Sequence, residues 1–293
     1  MNLTLMGVAL VLPIGLARSQ PAAATPPKFE VASIKQCKGG AFPPEGRSGG
    51  GPAGNLSPGR LRLPCQDVMH FIQGAYGLFA NGQLNPFSTV RISGGPAWIN
   101  SDLYQLDAKA DGPASRSMMN GPMLQSLLED RLKLKIHRET REVPVYALTV
   151  AKGRPKLQPF KEGSCISEDF DNPSPPPEAA QSLPKLCGML RGTNNGFEVP
   201  RVTMADFCKN LSGRLDRVVI DKTGIAGTFD IHLDLSLADL GYPSAVGLSE
   251  SATPADIFAA VNAAVKKLGL KLKPAKGPGE FFVIDHVEKP SEN

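Results

Sequence analysis

Few residues in this chain are of types and spacings that do chemistry, and they lie far apart. Asp221-Lys222-Thr223-Gly224 matches the opening of the phosphorylated loop of P-type ATPases, where the aspartate attacks ATP. That chemistry needs a nucleotide domain, magnesium-binding carboxylates and a membrane portion, and no such segments are evident. The four residues read instead as a strand end and a turn, with Gly224 supplying an unusual backbone angle. His70, His137, His232 and His286 each lack a Cys or His at the spacing a structural zinc site uses. His232 and His286 read as exposed strand positions. Gly49-Gly50-Gly51 is not followed by the Gly-Lys-Ser/Thr of a phosphate loop. Neither a Gly-x-Ser-x-Gly elbow nor a His-Glu-x-x-His helix occurs. No metal and no cofactor is expected. A Ser-His-Asp site assembled from distant residues would leave no such trace.

Binding candidates are sharper. Arg138-Glu139-Thr140-Arg141-Glu142 is the densest charge cluster. It reads as a solvated hairpin connection or, functionally, as a contact for an anion or a partner through Arg138 and Arg141. Trp98, the one tryptophan, follows Gly94-Gly95-Pro96-Ala97 and is either core or an exposed platform. Tyr146, just beyond the charge cluster, completes the set of candidate binding residues.

The elements that position these residues follow from periodicity. Phe29 to Ile34 alternates as a half-buried strand does. Val68, Phe71, Ile72 and Ala75 share one helical face. Met118 to Arg131 and Pro254 to Leu268 are helical runs, the second opened by Thr253 as cap and Pro254 at the first helical position. Thr203 caps a helix running to about Leu215. Leu132-Lys133-Leu134-Lys135 recurs as Leu270-Lys271-Leu272-Lys273, each copy after a long helix and before a charged or Gly/Pro turn and a further β-rich run. Leu103 to Ala108 and Thr228 to Leu235 are matching strands upstream. The alternation places the four lysines in solvent and Leu134 and Leu272 in the core. The fold expected is α+β: two duplicated modules, each a small antiparallel or mixed sheet covered by two helices.

The ends and composition bound the rest. Leu3 to Leu16 is nearly all apolar and precedes Ala17-Arg18-Ser19, which reads as a secretory signal over residues 1–19. The expected division is a flexible leader over 20–28, a first module over 29–157, a Pro-rich linker over 158–200 and a second module over 201–290. A net charge of +4 in 293 residues, with no basic stripe, argues against nucleic acid. No membrane span is expected after the signal. The location expected is secreted or periplasmic.

Cys37, Cys65, Cys165, Cys187 and Cys208 leave one thiol over in an oxidising compartment. Cys208 shares a helical face with Met204, Phe207, Leu211 and Leu215, so it is the buried free one. Cys165 pairs with Cys187 within the Pro-rich stretch, and Cys37 with Cys65 across a Gly/Pro-rich loop.

Phe29-Glu30-Val31-Ala32-Ser33-Ile34-Lys35, Gly95-Pro96-Ala97-Trp98, Leu127 to Leu134, His137 to Tyr146, Asp221-Lys222-Thr223-Gly224 and Val283-Ile284-Asp285-His286-Val287 together resemble a soil-associated acidobacterial family of unknown function. The resemblance covers nearly the whole chain after the signal. It implies a secreted bacterial protein, some of whose relatives are fused to membrane metallopeptidases of the antibiotic-sensor type; no peptidase part is expected in these 293 residues. It brings no catalytic residues with it. The second module is also similar, in element order, to the short N-terminal domains of secretins and TonB-dependent receptors. The function expected is therefore binding of a protein, peptide or cell-envelope ligand through exposed sheet edges. The alternative is a secreted hydrolase with a dispersed site between the modules.

Overall fold

The computed structural model describes residues 27–37, 59–85, 88, 90–167, 169–171, 185–193, 196–236, 239 and 252–290. The signal over 1–19, nearly all of the leader and the Gly49–Gly51 run lie outside the described residues.

The chain begins with β1 (Phe29–Gln36) and β2 (Arg60–Asp67). Asp67 caps α1 (Val68–Ile72) by accepting from the His70 amide, and the helix continues as a π-helical turn to Leu78. β3 (Arg91–Gly94) and β4 (Leu103–Ala110) follow. The next helix is α2 (Arg116–Met118), which passes through a π-helical turn into α3 (Leu124–Arg131). The turn is possible because residue 121 is glycine: a Cβ there would lie 1.9 Å from the Phe79 carbonyl oxygen. β5 (Lys135–Val150) comes next, then β6 (Gln158–Pro159), β7 (Arg191–Thr193) and β8 (Gly196–Val202). Thr203 caps α4 (Met204–Ser212), as its hydroxyl predicts. β9 (Val219–Asp221) and β10 (Phe229–Leu233) precede α5 (Pro254–Lys267), where Thr253 and Asp256 form a capping box. β11 (Leu270–His286) closes the fold.

These strands form three sheets, in the orders β1-β4-β2, β6-β10-β8-β7 and β3-β11-β5-β9. The first two are antiparallel. In the third, β5 and β11 pair antiparallel along almost their whole lengths, from Lys135 opposite His286 to Val150 opposite Leu270. β3 joins β11 in parallel near one end of this ribbon and β9 joins β5 in parallel near the other.

Two hydrophobic cores sit at the two ends of the ribbon. The first gathers Ile34, Leu61, Phe71, Leu106, Leu128 and Leu134, and is closed by Phe282 and Ile284 of β11. The second gathers Val199, Phe207, Ile231, Val265, Leu270 and Leu272, and is closed by Tyr146 and Leu148 of β5. Leu134 and Leu272 are buried and Lys133, Lys135, Lys271 and Lys273 are exposed, as the alternation requires. The α+β class stands.

Three expectations need correction. The charged run His137–Glu142 is not a turn but the middle of β5, and the Gly/Pro-rich run Pro274–Gly279 is the middle of β11. Each reads as a turn because its residues favour solvent. His137–Glu142 pairs instead with Pro278–Val283, and Pro274–Gly279 with Arg141–Tyr146, partners distant in sequence that supply the backbone bonds. The sheets are thus not closed within each half of the chain; each core borrows the strand that begins beside the other. The stretch 158–200, expected as a linker, contributes β6, β7 and most of β8 to the second core's sheet.

Cys37 is bonded to Cys65 and Cys165 to Cys187, with Cα separations of 6.2 and 5.1 Å, and Cys208 is a free buried thiol. All three assignments agree with the cysteine reading.

Candidate functional site

The four residues singled out in the sequence do not converge. Trp98 is half-buried against the first core; Tyr104 meets its ring edge-on at 6.4 Å and the Lys289 ammonium lies 5.6 Å from its centroid. Lys289 also donates to Asp102 at 2.7 Å, and that bond holds the Asp102 carboxyl below its ordinary value. Arg138 and Arg141 are exposed on β5, their guanidinium carbons each 5.2 Å from a ring centroid, of Phe282 and Phe281 respectively. Arg141 also pairs with Glu139. Strand alternation puts Arg138 and Arg141 on opposite faces of the ribbon. Tyr146 is buried in the second core, stacked on Phe258 at 4.4 Å, and its hydroxyl donates to Asp216.

The junction between the cores, where a dispersed hydrolase site was expected, holds a polar tie. Arg91 donates to the Asp216 carbonyl at 2.9 Å, and Arg217 lies over the Tyr146 ring. Among the described residues, each imidazole bonds a carboxylate on its own surface: His70 with Asp67, His137 with Asp285, His232 with Asp234 and His286 with Glu288. No group of three described His, Cys, Asp or Glu side chains is placed to hold a metal ion. Asp221 accepts from the amide and hydroxyl of Thr223 and Gly224 takes φ +67°, so that motif is a turn.

The sheet edges are more informative. The Tyr146 amide donates to Val218 and the Lys222 amide to Leu148. Backbone groups alternate in direction along a strand, so the even-numbered residues of β5 address its outer edge. Pro144 occupies one of those positions. On β11 the even-numbered residues face outward, as the bond from the Leu272 amide to Asn262 shows, and Pro274 and Pro278 occupy two of them. Prolines thus stand where an amide would otherwise solicit a further strand. The free edge of β2 carries Pro64, and β6 ends in Pro159.

β1 differs. It is eight residues long, contains no proline and, among the described residues, lies on a sheet edge. The Cys37 amide bonds Leu103, so Gln36, Ile34 and Ala32 direct their N–H and C=O groups away from β4. Val31 is 61% exposed, unusual for a valine in a strand. Beside this edge runs α3, and the groove between them is lined by Lys28, Phe29, Val31, Leu127, Asp130 and Arg131 among others. A free strand edge alongside a helix is an arrangement that accepts an extended peptide. The sequence shows β1 as a strand but contains no signal that it ends up on an edge.

Residues 70–287 match the model of a protein family of unknown function, DUF3738. The chain belongs to this family. The matched span includes α3 and both ribbon strands; β1 lies before it. No curated protein and no solved structure matches the chain. The two disulfides are compatible with an extracellular or periplasmic protein, and among the described residues no helix is long and apolar enough to cross a membrane.

Proposed function

We propose that this DUF3738 protein is secreted or periplasmic and binds an extended segment of a partner protein as an added strand on β1. The observation that carries the reading is the contrast between edges: prolines stand at outward positions of the ribbon and on β2, and none stands on β1. Gln36, Ile34 and Ala32 offer up to six backbone hydrogen bonds, each worth about 1 kcal/mol net. Set against the cost of association, that supports micromolar rather than nanomolar binding. The apolar run before Ala17-Arg18-Ser19 and the two disulfides support the location.

Selection from a displayed random decapeptide library, followed by amide exchange of the chain with a selected peptide, tests the reading. Protection concentrated on residues 30–36 is the expected result. Protection along 136–144 or 270–280 instead, or none anywhere, overturns it.

We also infer that the two halves derive from one duplicated unit whose final strands have exchanged cores. The order strand, helix, strand, strand, helix, strand occurs from β2 to β5 and again from β8 to β11. β3 lies parallel to β11 as β9 lies parallel to β5. An experimental structure in which 60–136 does not superpose on 196–274, helix on helix and strand on strand, would end this inference.

A further inference from the structure

We propose that the β1 groove receives the C-terminal end of a partner chain, antiparallel to β1, with its terminal carboxylate on the Lys28 ammonium. This rests on the strand-addition reading above. The groove is charged at the corner where β1 begins and α3 ends. Of the acids there, Glu30 is held by Lys109 at 2.9 Å and Asp130 by Arg131 at 3.4 Å. Lys28 lines the same corner, is exposed, and has no acidic partner among the described residues.

Direction follows from geometry. A strand antiparallel to β1 advances from Gln36 toward Lys28, so its C-terminus is the end that arrives beside the ammonium. A parallel strand would bring an N-terminal ammonium there, against a like charge. The edge also thins at this corner: β1 shifts register between Phe29 and Val31, the strand begins at Phe29, and residue 27 is a proline that offers a carbonyl but no N–H. A chain terminus needs no further rungs beyond this corner, whereas a continuing chain would run on past the strand's start. Phe29, Val31 and Leu127 give an apolar seat just inside the corner, which suits an aliphatic or aromatic side chain among the last two residues of the partner.

The test uses decapeptides randomised over their last six positions, each made as the free acid and as the C-terminal amide. Affinity is read by fluorescence anisotropy and site by amide exchange of the chain. Peptides that protect residues 30–36 should bind at least tenfold tighter as acids than as amides. Lys28→Gln should abolish that difference by weakening the acids alone, and Lys28→Arg should keep it. Lys28 is exposed outside both cores, so these variants leave the fold intact, which circular dichroism checks. Acids and amides that bind equally while protecting β1 overturn the carboxylate proposal and leave strand addition standing. Peptides that bind without protecting β1 in either form overturn both.

Discussion

Arg138 lies over the ring of Phe282 directly opposite it across the β5·β11 ribbon, the guanidinium carbon 5.2 Å from the centroid. The pair shows how a charged run can live in a strand: the arginine stem and guanidinium cover an aromatic face while the charge stays in water. Phe282 is the buried member and closes the first core. Phe282→Ala should cost about 3–5 kcal/mol, the range for emptying a buried aromatic site. Arg138→Ala should cost about 0.5–1 kcal/mol, an exposed cation–π contact. Denaturant titration of both variants checks the ranking; an Arg138→Ala loss as large as that of Phe282→Ala would refute this division of roles.

The disulfides close loops of sequence separation 28 and 22. On the chain-entropy model each contributes about 3 kcal/mol. The double variants Cys37→Ala/Cys65→Ala and Cys165→Ala/Cys187→Ala should each lower the unfolding free energy by about that amount. Mass spectrometry of the non-reduced digest should show these two linked peptides and Cys208 alone.

Burial, with Asp221 adding to it, pushes the Cys208 thiol up to about 12. Folded and unfolded chains both hold this proton below the thiol's ordinary value of 9.0. Above it the unfolded chain releases the proton first, so the contribution is complete below pH 9 and is lost as pH rises toward 12. The slope approaches about 1.4 kcal/mol per pH unit. Tyr76, raised by burial and then by its bond to Glu129, acts with the same sign at still higher pH. The difference in slope between the native chain and Cys208→Ala, measured by urea unfolding from pH 8 to 11, isolates the thiol. Parallel curves would contradict the burial argument.

Replacing Pro144, Pro274 and Pro278 together by threonine would restore amides at outward-facing positions of both ribbon edges. The expected outcome is concentration-dependent association in sedimentation velocity, with the native chain unchanged under the same conditions. A triple variant that stays as the native chain does would show that the prolines do not guard these edges.

Much of the local structure was legible along the chain. Thr203 and Thr253 announce their helices because a hydroxyl at that position satisfies an amide of the first turn. Leu134 and Leu272 announce their burial through alternation with lysines. Cys208 is separable from the other cysteines because its helical face is apolar. The binding candidates lie elsewhere: Tyr146 is buried in the second core, Trp98 is half-buried against the first, and none of the four lines the groove beside β1. Nothing in Phe29-Glu30-Val31 says that, among the described residues, one side of the strand will lack a neighbour.

By itself, then, the sequence determined the α+β class, the caps, the disulfide partners and the burial of Leu134, Leu272 and the apolar face of α4. All of these depend on residues within a helical turn, a strand repeat or one loop of each other. Only the tertiary structure decided that His137–Glu142 and Pro274–Gly279 are strand rather than turn, that each core is closed by a strand starting beside the other, and that among the described residues β1 has β4 on one side and an open edge on the other. The first two depend on backbone hydrogen bonds between segments more than a hundred residues apart, and the third on β1 pairing with β4, from Gln36 opposite Tyr104 to Phe29 opposite Ala110. Such bonds are made by groups every residue carries, and side-chain pattern does not record which partner they will find.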